Sequence, residues 1–145
     1  MILSISITGC MQTGDEPPKD QKPVAVEKPT DGMFVHISSN DARKVLMGLS
    51  IALKMQEDKD VLVFFDSEAI NTIVKEGDQY EMEGYAGSSD EMIRKLTQKG
   101  VPVLACPMCL KSFGKSQTDL VEGITIARKE QFFDFTEGRI LTLDY

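Results

Sequence analysis

Apolar and polar positions along the chain fall into blocks of two different periods. Met33-Phe34-Val35-His36-Ile37 is a short apolar run that predicts a first strand, and Ser38-Ser39-Asn40 behind it supplies turn and helix N-cap chemistry. A helix over 41–55 follows, because Val45, Leu46, Leu49, Ala52 and Leu53 form one apolar stripe at helical spacing. Val61-Leu62-Val63-Phe64-Phe65 is apolar at every position rather than at alternate ones. A strand of that kind is buried on both faces, which implies a parallel sheet covered by helices. Asp66-Ser67 is expected to cap a second helix ending near Lys75, followed by a polar, acidic loop over 76–87 whose large apolar groups are Tyr80, Met82 and Tyr85. Ser88-Ser89-Asp90-Glu91 has capping-box spacing and opens a helix bearing Met92, Ile93 and Leu96, which Gly100 ends. Residues 101–105 predict a third strand, 107–113 a short helix, 124–126 a fourth strand, 129–135 a last helix and 140–143 a fifth strand. Strands alternating with helices predict one α/β doubly wound domain over 32–145, with about five parallel strands.

Composition narrows what such a domain can do. The 145 residues carry 23 acidic and 16 basic side chains, a net charge of −7, and the bases are scattered rather than gathered in a stripe. No nucleic-acid role is expected, since neutralising phosphates needs a basic footprint. No apolar run approaches the ~20 residues that span a bilayer. One His, no Trp and three Cys leave multi-ligand metal sites and His-based triads without their parts. Sulfur chemistry is what remains.

The N-terminus is a separate matter. The chain begins MILSISITGC and turns abruptly polar, with four of the six prolines falling within residues 11–31. Ile7-Thr8-Gly9-Cys10 resembles the lipobox of bacterial lipoproteins, which implies lipidation at Cys10, export, and a disordered membrane tether over 11–31. No base precedes Cys10, so residues 1–10 read as a truncated lipoprotein-type signal. The alternative is a disordered cytoplasmic tail in which Cys10 has no role.

Ala105-Cys106-Pro107-Met108-Cys109-Leu110-Lys111 places a C-x-x-C at the carboxyl end of a predicted strand where a helix begins. In open α/β sheets that edge is where ligands bind. A thiol at a helix start faces unpaired N–H groups and the positive end of the helix dipole, so Cys106 is expected to be the more acidic and more exposed of the pair. Pro107 suits the first helical position, and Lys111 and Lys115 add positive potential. Cys109, one turn later on the same side, is within reach for a disulfide or for resolving an adduct. A structural zinc site needs four ligands, and no second C-x-x-C or H-x-x-H is present. A soft Cu(I) site on both thiolates and Met108, or a structural disulfide, remains as a non-enzymatic alternative. Thioredoxin-like chemistry fits poorly, because there the motif follows the first strand and here it follows the third.

The order of elements, with GVPVLACPMCLKSFG followed by DLVEGITIA, resembles the DsrE/DsrF-like sulfur-relay proteins over 32–145. The resemblance implies a three-layer flavodoxin-like sandwich, assembly into small oligomers, and a Cys that carries sulfur as a persulfide between donor and acceptor proteins or small thiols. That position is Cys106. Cys109 matches the subset with a C-x-x-C, suggesting a resolving role and leaving sulfur transfer and thiol-disulfide exchange both open. No cofactor and no resident metal are implied. The well-understood relay members are cytoplasmic, whereas Cys10 and its tether would place this chain outside.

A flavodoxin-like strand order would make the first and third strands neighbours, so that Ser38 and Asn40 face Cys106 and bind a sulfur adduct together with Lys111. Capping duty explains Ser38 and Asn40 equally well. Asp66 is expected one strand farther off, as a turn residue, and His36 as a satisfied core or interface histidine. Tyr80, Met82 and Tyr85 in the 76–87 loop are read as groups for an oligomer contact or a lid, with a plain solvated loop as the alternative.

Overall fold

A computed structural model describes residues 29–145. Residues 1–28, which carry Cys10, the signal-like segment and most of the expected tether, lie outside the described residues. Within the described residues the chain forms one five-stranded, all-parallel sheet in the order β4-β3-β2-β1-β5. The strands are β1 (Gly32–Ile37), β2 (Asp60–Phe65), β3 (Val103–Ala105), β4 (Thr125–Ile126) and β5 (Ile140–Asp144). The helices are α1 (Ala42–Met55), α2 (Ser89–Gln98) and α3 (Pro107–Ser112). None of the helices here is long and apolar enough to cross a membrane.

Alternation along the strands divides the apolar side chains between the two faces of the sheet. Met33, Val35, Ile37, Val61, Val63, Phe65, Val103 and Ala105 join the stripe of α1 (Val45, Leu46, Leu49, Ala52) and that of α2 (Met92, Ile93, Leu96) in the main core. Leu62 and Leu104 are buried on the opposite face, beside half-buried Phe34 and Phe64. There the ring of Phe132 packs on Phe34 and Phe64, at centroid distances of 5.8 and 5.1 Å. The run Val61 to Phe65 therefore does serve both layers, as its unbroken apolarity predicts.

Several elements differ from expectation. The stretch after β2 is a 3-10 helix, Ser67–Ile73, and Asp66 gives it no side-chain cap. The segment 129–135 keeps only a short 3-10 turn, Lys129–Phe132. Asp41, not the 38–40 segment, caps α1, with Oδ1 accepting from the N–H groups of Arg43 (3.0 Å) and Lys44 (3.1 Å). The cap at Ser88, accepting from the Glu91 N–H, is as expected.

The strand order also corrects the placement of the loop after β1. β2 lies between β1 and β3, so the first and third strands are not neighbours. Both crossovers are long enough to reach either position, which leaves order to side-chain packing rather than to chain length. The 76–87 loop is corrected too. Tyr80, Met82 and Tyr85 pack against the main core, and the Tyr80 hydroxyl donates to the Asn40 carbonyl at 2.7 Å. These side chains close the monomer's own core, so they give no argument for an oligomer contact.

Candidate functional site

The carboxyl edge of the sheet gathers the chemistry. Cys106 directly follows β3, and its N–H donates to the Phe65 carbonyl at 2.9 Å, extending the ladder one residue beyond the strand. Its carbonyl accepts from Leu110 N–H at 2.9 Å, which starts α3. Cys106 is thus the N-cap of a helix with Pro107 at its first position, as the sequence suggests. Both thiols are free.

Exposure runs opposite to expectation. Cys106 is buried, with only 8% of its surface exposed, while Cys109 is partly exposed. The reason is the extra ladder bond, which keeps Cys106 in the layer of the strand ends; Cys109 rises one turn out of it. Between them Met108 projects into solvent at 78% exposure.

Cys109 sits among groups that oppose its ionisation. Burial, foremost, pushes its thiol up; the hydrogen bond to the Cys106 thiol and the nearby charge of Asp66 push the same way. The Ser67 N–H acts against them by hydrogen-bonding the sulfur. Ser67 holds φ at 45°, a left-handed conformation that a residue with a Cβ rarely adopts and that costs on the order of 1–3 kcal/mol. The sharp turn out of β2 that this conformation creates starts the Ser67–Ile73 helix, which lies in contact with α3.

Asp66 belongs to a second cluster that crosses three strands. His36 Nε2 lies 3.0 Å from Asp66 Oδ1, and His36 Nδ1 lies 2.8 Å from Asp144 Oδ1 on β5. The imidazole rests on Phe64, with centroids 5.6 Å apart and planes at 27°. The row across the edge is therefore Asp144, His36, Asp66, then the cysteine pair.

The structure brings Cys106 and Cys109 together but places Ser38 and Asn40 at the end of a strand that is not their neighbour. Ser38 and Asn40 follow β1, one strand beyond Asp66; Ser38 is tied to the Tyr145 carbonyl through its N–H (2.9 Å) and its hydroxyl (3.3 Å). Lys111 is exposed in the last turn of α3. Asp66 and Ser67 occupy the place beside the thiols that sequence reasoning gave to the 38–40 loop. The available signal was Asp66's position at a strand's carboxyl end, in the same layer as Cys106. Among the described residues, no group of three or more His, Cys, Asp or Glu side chains has a metal-holding arrangement. A cavity of about 500 Å³ lies at the opposite, amino end of β1 and β5, lined by Gly32, Met33, Met55, Ile140 and Leu141, away from this chemistry.

Comparison with known proteins agrees with this picture. The crystal structure of the ychN protein from E. coli is similar over 79% of this chain and 98% of its own, with a TM-score of 0.60 and 21% identity. Protein MTH1491 from Methanobacterium thermoautotrophicum, of unknown function, is similar over 77% of this chain and 98% of its own, with a TM-score of 0.56 and 18% identity. At these identities the likeness establishes the fold. None of the curated proteins matches the chain significantly. The DsrE/DsrF-like family matches residues 33–138, which runs from the second residue of β1 through β4 and includes the cysteine pair. The chain belongs to the DsrE/DsrF-like family, and that membership supports a function of the sulfur-relay type.

Proposed function

We propose that the protein is a sulfur carrier in which Cys106 holds the travelling sulfur atom as a persulfide and Cys109 is the resolving thiol. One observation carries the reading. Cys106 fills a helix N-cap with extended backbone and makes no side-chain capping bond. Ser, Thr, Asp and Asn are strongly preferred at such a position, so a cysteine there forgoes stability in exchange for a soft nucleophile at a helix start. Burial shields the adduct from solvent thiols, and the exposed thioether of Met108 offers a docking partner an adaptable apolar contact beside the sulfur.

Loading is a displacement on a sulfane donor: the Cys106 thiolate attacks the terminal sulfur of a polysulfide, and a polysulfide one atom shorter leaves. Cys109→Ser removes the resolving thiol and traps the product. After incubation with polysulfide and desalting, this variant is expected to gain the mass of one sulfur atom, mapped to the peptide containing Cys106. No gain, or a gain on another residue, overturns the assignment.

The same reading gives the domain donor and acceptor proteins or small thiols as partners, a second copy of itself in a small oligomer, and a lipid at Cys10 that holds it outside the cytoplasm. The acid-, Lys- and Pro-rich composition of 11–31 supports the tether, since such a stretch buries too little apolar surface to offset its ordering entropy. Expressed in a bacterial host from a gene including any upstream start, the protein is expected to sediment with membranes and Cys10→Ala to release it. Wild-type protein wholly in the soluble cytoplasmic fraction would remove the anchor.

A further inference from the structure

The sulfur chemistry proposed above leaves His36, the chain's one histidine, without a role. It lies in the middle of the sheet edge, with a carboxylate at each ring nitrogen. From β5 it is faced by Asp144, whose side chain is 69% exposed and so open to water. From the end of β2 it is faced by Asp66, only 24% exposed. From the sheet it is faced by the rings of Phe64 and Phe34. His36 Nε2 and Asp66 Oδ1 are both enclosed, and neither makes a hydrogen bond among the described residues; what joins them is a 3.0 Å contact without hydrogen-bond geometry. The ring is thus the polar neighbour available to that oxygen.

On its other side Asp66 is next to the cysteine pair in the ladder: Phe65 pairs with Ala105, and the Cys106 N–H donates to the Phe65 carbonyl, so Asp66 and Cys106 leave adjacent strands side by side. The groups acting on Cys109 are the Cys106 thiol, the Ser67 N–H and the Asp66 charge, with Lys111 exposed on the same short helix. A negative charge beside a thiol holds its proton on, and a polar neighbour that fixes where that charge lies changes the hold. We propose that His36 is the positioning residue of the sulfur site: braced by Asp144, it fixes the Asp66 carboxylate beside the cysteine pair and so sets how readily Cys109 attacks a loaded Cys106. This rests on the carrier reading for its purpose. The step it governs takes the Cys109 thiol and the Cys106 persulfide to the Cys106–Cys109 disulfide and hydrogen sulfide. The Cys109 sulfur bonds to the Cys106 sulfur, the bond to the outer sulfur breaks, and the leaving sulfide takes up the Cys109 proton. The outer sulfur is reduced as the two cysteine sulfurs are oxidised, so no further oxidant is needed.

The test reads Cys109 alone, in the full chain, reduced and free of sulfur. Alkylation rates at the Cys109-containing peptide are followed against pH. His36→Phe keeps a ring on Phe64 and removes both ring nitrogens; it is expected to shift the profile to higher pH and slow alkylation at neutral pH about two- to fivefold, within the range of a partly exposed charge interaction. Asp66→Asn is expected to shift the profile to lower pH. In the Asp66→Asn background His36→Phe should have no further effect, and His36→Gln, which retains one donor, should fall between wild type and His36→Phe. A His36→Phe shift that persists undiminished in the Asp66→Asn background would mark a purely structural role and overturn the proposal, as would no shift at all. Because the readout involves no persulfide, it can fail while sulfur loading of Cys106 succeeds, and the reverse.

Discussion

Cys106→Ser is expected to abolish sulfur uptake while leaving the fold within about 1 kcal/mol of wild type, because serine is a favoured N-cap. The substitution exchanges sulfur for oxygen at a helix start whose backbone is already extended, at φ −62° and ψ 120°. The hydroxyl can accept from an N–H at the start of α3, a bond the thiol does not make. The ladder bond to the Phe65 carbonyl comes from the backbone and is untouched. What disappears is the nucleophile, since an alcohol neither attacks sulfane sulfur at neutral pH nor holds it. Intact mass after polysulfide treatment, beside a thermal melt, separates the two effects. Uptake persisting in the variant would move the carrier role elsewhere; collapse of the fold would show that the sulfur is there for packing.

The largest loss of stability is expected at Phe65. Its ring is fully buried and is among the largest side chains so enclosed, on the face that α1 and α2 cover. Phe65→Ala removes most of that side chain and leaves a cavity that a parallel sheet fixed by β1 and β3 on either side can close only in part. The expected cost is about 3–5 kcal/mol, or a fall in Tm on the order of 10–20 °C for a domain of this size. Phe64→Ala, on the thinly covered opposite face, should cost distinctly less, because Phe64 is only half-buried. Thermal or urea denaturation checks both. Equal losses would mean that the two faces are equally packed, contrary to the burial pattern.

What could be read from the sequence follows from local physics. The unbroken apolar run of β2 announced a parallel sheet, the Ser88 cap announced α2, and the cysteine pair with Pro107 announced a strand ending in a helix start. Each of these signals is complete within a few residues. Strand order is not local: β1 lies beside β2 and β5, and nothing in the connecting segments selects that over a β1–β3 pair. A β1–β3 pairing would put Ser38 and Asn40 beside Cys106 and Asp66 one strand farther off; the observed order exchanges them. The His36–Asp144 contact joins residues 108 positions apart, a separation at which the pattern along the chain carries no signal. Cys106 reads from the sequence as the more exposed thiol for a related reason, since its burial depends on one backbone bond to the neighbouring strand. The tyrosines of the 76–87 loop looked unpartnered only because the core they close is built by α1 and α2.

Discharge of the loaded protein tests the carrier assignment most directly. Wild type and Cys109→Ser are loaded with one sulfur atom each, freed of donor, and followed for released sulfide and for the Cys106–Cys109 disulfide. Wild type should release one sulfide for each disulfide formed, while Cys109→Ser should retain its sulfur at least about tenfold longer, as expected when an intramolecular thiol is lost. Equal release from the two proteins, or sulfide without disulfide in wild type, would contradict a resolving Cys109 and with it the paired sulfur site.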